Sequence, residues 1–396
     1  MPSAPPPGDP APADGSLPDV ALETLGRNGF GVYVHVPYCA HRCGYCDFNT
    51  YVDDTGAAAS YADAAIAEIR LAARVLTEPP PARTVFFGGG TPTLLPPEDL
   101  GRILGAIRDE LGLEPGAEVT TEANPETLDP RVLETLRESG FNRVSLGMQS
   151  AVPHVLATLE RRHVQGRPEQ CVAWAREAGF DRVSLDLIYG TPGETDDDWR
   201  ASLEAVLAAD PGHVSAYALT VEPGTRLHAS GARAEDDVAA DRYEIADDLL
   251  GQAGYGWYEI SNWARSEADR CRHNETYWRD GDWWGVGPGA HSHVGGVRWW
   301  NVRLPREHAS ALAEGRSPAQ AREVLDDESR RVERVLLGVR LVEGHPVGDL
   351  DDAGRKEAAA LADDGLLDPA ALAAGRLVLT RRGRLVADGV VLRLVA

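Results

Sequence analysis

The sequence predicts an α/β fold, a partial (β/α)6 barrel of parallel strands followed by a small winged-helix-like α+β module. Three observations predict it. Short β-rich runs recur at 31–36, 84–89, 118–123, 143–148, 182–187 and 213–219, each ending where Gly, Pro or polar residues begin. Helical patterns occupy the intervals, which is the alternation of right-handed βαβ crossovers. Finally, Cys39, Gly88 to Gly90, Glu122, Gln149 and Asp186 all fall at or just beyond strand C-termini, the rim on which a β/α barrel carries its active face. Six units are too few for an eight-stranded closed barrel, and the rim placement favours an open barrel over a doubly wound sheet.

The helices are expected at 60–76, 97–111, 130–139, 169–178, 195–207 and 238–253. Asp129 before Pro130 reads as an N-cap followed by a proline in the first helical position. Residues 1–20, rich in Pro, Ala and Asp, bury too little to order themselves and are expected to form a disordered tail. The barrel then spans 21–254, a Trp-rich connecting segment 255–325, and the C-terminal module 326–396, with helices at 328–341 and 356–366 and a β-rich tail from Arg376. Packing against the barrel is the expected role of that module, ahead of nucleic-acid binding.

Composition supports this preference. Acidic residues number 62 against 39 basic ones in 396, and the net charge of −23 repels phosphate backbones and anionic lipid. Five cysteines without a secreted-type framework, and no charged-then-apolar leader, point to a reducing, cytoplasmic setting. No apolar run is long enough to span a membrane, so any membrane contact, at an inner membrane for instance, is expected to be peripheral.

Cys39, Cys43 and Cys46 form C-x3-C-x2-C in the loop leaving the first strand. Three thiolates on one tight loop can converge on a metal centre. Structural zinc needs a fourth ligand, for which His41 or His35 would have to serve, because Cys171 and Cys271 lie far away in sequence. A 4Fe–4S cube on three cysteines instead leaves one iron open to a small molecule. With Tyr45 before the third cysteine, the motif resembles the radical S-adenosylmethionine (SAM) superfamily, and the resemblance implies a 4Fe–4S cluster whose open iron chelates the methionine part of SAM. The run FFGGGTPTLL at 86–95 resembles the coproporphyrinogen-dehydrogenase-like branch of that superfamily.

That resemblance implies SAM contacts residue by residue. Tyr33 matches a tyrosine beside the methionine moiety, and Tyr45 an aromatic whose backbone faces the adenine. Gly89, Gly90 and Thr91 match nucleoside and methionine contacts, and Glu122 in TTEANPE a SAM-binding carboxylate. Gln149, Arg161 and Asp186 match further polar contacts, with Arg162 an adjacent competitor for the role of Arg161. Ala218 and the GVGPGAHS turn at 285–292 complete the pattern. No residue is assigned a catalytic role.

Porphyrin-making members of the branch resemble C-x3-C-x2-C-x-C, whereas here the fourth cysteine is replaced by Phe48, followed by Asn49. This form resembles the HemW haem chaperones. So does H-N-x-x-Y-W in CRHNETYW, which implies haem contact by His273, Asn274, Tyr277 and Trp278, with His273 the natural axial ligand. Cys271 is either a second ligand or an incidental thiol. Seven of nine tryptophans fall between 257 and 300, which offers apolar planes to a flat ligand or else cements the barrel to the C-terminal module. The resemblance implies a protein that binds haem and transfers it to acceptor haemoproteins, respiratory enzymes among them, with an electron donor as a further partner. The alternative within the branch is an oxygen-independent coproporphyrinogen III dehydrogenase; a radical SAM methyltransferase would need a second SAM motif that is not visible.

Overall fold

The computed structural model describes residues 7–52, 60–162 and 164–396. Its centre is the run of parallel strands β1 (Phe30–Val36), β2 (Ala82–Gly89), β3 (Leu113–Ala123), β4 (Arg143–Gln149), β5 (Arg182–Tyr189) and β6 (His213–Ala218), hydrogen-bonded in sequence order. A doubly wound sheet would reverse its order at a switch point. This one does not, so the crossovers wind in one sense and the helices stack along one face.

Those helices are α1 (Tyr61–Leu76), α2 (Pro97–Glu110), α3 (Pro130–Ser139), α4 (Arg167–Glu177), α5 (Asp196–Ala209) and α6 (Asp236–Gln252). Asp129 caps α3 by accepting from the Val132 N–H at 2.9 Å. Thr195 opens α5 with a reciprocal capping box to Asp198, which satisfies two otherwise orphaned donors. Between strands and helices lies the main core, including Val85, Phe87, Val144, Leu146, Leu185 and Val214.

The other strand face is polar. Because side chains alternate along a strand, registered pairs place Thr84, Glu118, Thr120, Arg143, Ser145, Ser184, Asp186, His213 and Ser215 on a common inner wall. Ordinary β/α barrels fill this space with branched apolar side chains. A wall of hydroxyls, carboxylates and a guanidinium instead surrounds a cavity of about 280 Å³.

Neither end of the sheet closes on the other. On the β1 side, β9 (Asp282–Val286) adds in parallel, followed by antiparallel β10 (His291–Val294), β11 (Val297–Asn301) and β12 (Ala319–Val324). On the β6 side, β8 (Asn262–Ala264) and β7 (Gly256–Glu259) extend it antiparallel. The tryptophan-rich segment therefore divides between the two edges: Trp263 is fully buried on one, while Trp284 packs edge-on against Trp299 at 4.8 Å on the other. Hence these rings do not form one plane for a flat ligand.

Two further expectations are corrected. Within the expected disordered tail, residues 1–6 lie outside the described residues, but Asp9–Pro10 pairs with β12 through Asp9↔Arg322 and Pro10↔Ala321. An open sheet edge supplies the hydrogen bonds that the tail's composition could not. The β-rich tail from Arg376 reduces to Arg376–Leu377 paired with His345–Pro346, after which Arg381–Leu385 and Ala387–Val395 are helical. Val390, Val391 and Leu394 lie one and four residues apart, a helical spacing, and bury against α9 (Asp327–Gly338) and α10 (Asp352–Asp363) in a separate small core.

Candidate functional site

The cysteine loop follows β1 and is held from three sides. The Gly90 N–H donates to the Val36 carbonyl at 2.8 Å and the Thr91 N–H to that of Tyr38 at 2.8 Å, so the glycine-rich run after β2 lies directly on the loop. A Cβ at Gly90 would stand 2.5 Å from the Tyr38 oxygen and 3.0 Å from Cys39 Sγ, which explains the need for glycine there. Tyr45 packs among Val155, Leu159, Ile188, Leu219 and Leu227 and anchors the far side of the loop. Asn49 closes it, its Nδ2 donating to the Pro288 and Arg303 carbonyls, both at 3.0 Å. Phe48 is 60% exposed at the exit of the loop.

All three thiols are free of disulfides, and polar side chains face two of them. Arg161 Nη1 lies 3.6 Å from Cys43 Sγ, while its Nη2 donates to the Gly147 carbonyl at 2.6 Å. The Thr91 hydroxyl lies 3.9 Å from Cys39 Sγ. Arg162 is exposed, so the structure separates the two neighbouring arginines that sequence left open. Among the described residues no three His, Cys, Asp or Glu side chains converge on one point as ligands of a single ion must. Both ring nitrogens of His35 are also engaged, by Tyr33 Oη and the Asn49 carbonyl, each at 3.0 Å. Zinc is thus poorly served, whereas a cube takes each cysteine on a different iron. The donor set and the Gly90 cradle fit a 4Fe–4S cluster.

Inward from the loop stand the remaining predicted contacts. Glu122 Oε2 accepts from the Gly89 N–H at 3.1 Å, and burial followed by the charge of Asp186 pushes its carboxyl up to about 8. Asp186 accepts from Ser145 Oγ at 2.9 Å and is itself raised by burial. Gln149 has φ of 64° at an irregularity in the β4–β5 register, which turns the chain end over the rim. Tyr33 stacks on Phe86 at 6.3 Å in the lumen, and Ala218 ends β6 opposite Tyr189. The GVGPGAHS turn lies behind β1, its Gly287 N–H donating to buried Glu68 Oε2 at 2.7 Å.

The HNETYW segment forms α7 (Arg272–Trp278) and plugs the opposite, N-terminal end of the barrel. His273 is 1% exposed, with Nδ1 2.9 Å from Thr84 Oγ1 and Nε2 2.7 Å from Tyr277 Oη. Burial lowers its pKa to about 3, so the ring is neutral. Both nitrogens are engaged, and axial ligation by His273 would require one of those bonds to break. Asn274 and Tyr277 line the lumen, whereas Trp278 turns outward beneath Arg340 of the C-terminal module. Cys271 is buried 3.8 Å from Glu118 Oε1.

Comparison with known proteins completes the assignment. The Radical SAM superfamily model matches residues 33–206. "Heme chaperone HemW" of Mycobacterium tuberculosis (strain ATCC 25618 / H37Rv) is 50% identical over 378 residues, covering 93% of this chain and 96% of that protein. The chain belongs to the HemW family of radical SAM proteins. A HemW from Synechocystis is 36% identical, covering 83% of this chain and 82% of its own. In fold, the structure of coproporphyrinogen III oxidase (HemN) from Escherichia coli matches with a TM-score of 0.82 at 23% identity, over 96% of this chain and 94% of that one. As a radical SAM protein of the HemW family, the chain has SAM and a 4Fe–4S cluster as its cofactors.

Sequence reading missed the barrel floor. Arg143 and Glu118 are 1% and 0% exposed at 3.8 Å, and Arg143 also donates to Ser184 Oγ at 2.8 Å. Their signal was present in the strands themselves, as polar residues at every second position: Glu118, Thr120, Glu122 and Arg143, Ser145.

Proposed function

We propose that this chain is a haem chaperone that binds haem and passes it to acceptor haemoproteins, with the cluster and SAM at the C-terminal mouth of the barrel. The observation that carries the reading is 50% identity to a protein named heme chaperone HemW across nearly the whole of both chains. Phe48 supports it, because a benzyl side chain can neither ligate iron nor exchange electrons where the porphyrin-making pattern has a fourth cysteine.

Within this reading Cys39, Cys43 and Cys46 hold the cluster, which supplies one-electron chemistry and a binding corner for SAM. Glu122 and the Gly89 to Thr91 backbone receive the methionine end, and Asp186, held by Ser145, accepts from a ribose hydroxyl. Arg161 fixes the loop by tying Cys43 to the β4 chain end. The lumen, about 280 Å³, falls just below the roughly 300–1,000 Å³ of pockets that enclose drug-sized ligands. A tetrapyrrole macrocycle is larger than that space, which favours cargo held outside the barrel. Acceptor proteins and an electron donor are the partners this function requires. No helix among the described residues is long and apolar enough to cross a membrane.

The deciding experiment is haem titration of anaerobically reconstituted protein, with transfer to an apo-haemoprotein and a parallel assay for coproporphyrinogen decarboxylation. Stoichiometric haem uptake and delivery are expected. Vinyl products formed at enzyme-like rates would transfer the assignment to the dehydrogenase.

A further inference from the structure

The structure assigns Arg226 and Glu160 as positioning residues of the cysteine loop, an ion pair that ties the loop across the open seam of the barrel and sets the charge beside Cys43; this rests on the reading of Cys39, Cys43 and Cys46 as cluster ligands. The strands leave that seam, since among the described residues β1 and β6 are not hydrogen-bonded to each other. At the mouth the chain after β6 crosses back instead. The Leu227 N–H donates to the Gly44 carbonyl at 2.9 Å, while the Gly44 N–H donates to the Leu159 carbonyl at 3.3 Å. Gly44 lies between Cys43 and Cys46, so the loop is tied on both sides to later units of the chain.

Two side chains complete the crossing. Thr225 caps the short helix Arg226–Ala229 by accepting from the His228 N–H at 3.1 Å, which starts that helix at Arg226. Arg226 Nε then donates to both oxygens of Glu160, at 3.1 and 3.0 Å, and its Nη2 donates to the Arg42 carbonyl inside the loop. Glu160 follows the helix Pro153–Thr158 with φ of 55°, left-handed backbone that a non-glycine residue adopts at a cost. Its carboxylate covers Gly44, where a Cβ would stand 2.8 Å from Oε1. Glycine is therefore needed at 44 for the acid to lie there.

An isolated surface ion pair contributes little, and both partners here are partly exposed. What distinguishes this pair is its attachment, because one guanidinium fork grips the acid and the loop backbone together. Hydrogen bonds from Arg226 hold the Glu160 carboxyl below its ordinary range, so both groups are charged at neutrality. The charge of Arg226 also reaches Cys43, which thus has two guanidiniums, Arg161 and Arg226, in its field. A cation beside a cluster ligand favours the reduced, more negative cluster, and an anion opposes it.

The test uses full-length protein carrying cluster and SAM. Reduction potential is read by electron paramagnetic resonance along an electrochemical titration, and iron loss is timed against a chelator. Arg226→Gln is expected to lower the potential and Glu160→Gln to raise it, each by at least threefold in the reduction equilibrium, about 28 mV at 59 mV per tenfold for one electron. Both variants loosen the crossing, so iron loss should quicken at least threefold in each. Arg226→Lys keeps the charge without the fork and is expected to restore the potential but not iron retention. Arg233→Gln, the same charge change on an exposed side chain, is the control at wild-type values.

Wild-type potential and iron loss in both variants of the pair would overturn the assignment. So would potentials that move the same way in both, because loss of loop structure alone does not depend on the sign of the charge removed. If Arg226→Gln retains too little cluster to titrate, Arg226→Lys decides, and wild-type iron retention there would overturn the fork. Failure of the wild-type protein to take up a cluster would instead remove the ligand reading itself.

Discussion

Arg161 joins two ends of the site at once, one nitrogen 3.6 Å from Cys43 Sγ and another donating to the Gly147 carbonyl at 2.6 Å. Its guanidinium is planar and can face both partners, which the single point charge of lysine cannot. Arg161→Lys is expected to keep the cluster but weaken SAM about tenfold or more, read by binding titration and by the change that SAM induces in the reduced-cluster electron paramagnetic resonance spectrum. Arg162→Ala, on an exposed side chain, should leave both at wild-type values; equal effects of the two variants would refute the assignment.

Glu122 sets a pH dependence. With its carboxyl raised to about 8, the SAM-free protein carries a proton there at neutrality, and binding an ammonium group must expel it. Affinity should therefore rise with pH between about 6 and 7.5, approaching tenfold per unit. Calorimetric titration across that range measures the slope, and Glu122→Gln should flatten it while weakening binding. The same shift predicts a stability cost: because the folded-state pKa lies above the ordinary carboxyl value of 4.5, stability falls as pH rises from there to about 8.

Gly90→Ala tests the cradle. The added Cβ would stand 2.5 Å from the Tyr38 oxygen, a backbone atom that cannot turn aside. The cysteine loop must move, and iron retained after reconstitution should fall below half the wild-type content. Gly105→Ala, in α2 with open space at its Cβ, is the control, expected to retain full iron.

At the barrel floor, Arg143→Met would strip buried Glu118 of its fully buried cation and leave only Arg272, 4.0 Å away and partly exposed. Loss of one partner of a buried pair costs about 3–5 kcal/mol, so a pronounced fall in melting temperature is expected. Adding Glu118→Gln should recover much of the loss, since the amide carries no charge to strand. A double variant as unstable as the single one would show that Arg143 acts through packing alone.

Local sequence determined the six parallel strands, the helices between them, the Asp129 cap and the cysteine loop. Each depends on periodicity or spacing within a few residues, and the strand ends carry the cofactor residues on one rim. Tertiary structure alone decided the rest, because it depends on partners brought together from distant parts of the chain. Thr84 and His273, 189 residues apart, meet at 2.9 Å, and Tyr277 takes the other ring nitrogen, so a histidine that reads as a ligand has both nitrogens engaged at the barrel floor. Asp9 and Pro10 are ordered only because β12 offers an unpaired edge. Arg161 is distinguished from Arg162 only by which side chain turns inward, a choice made by packing that neighbouring identical residues do not encode.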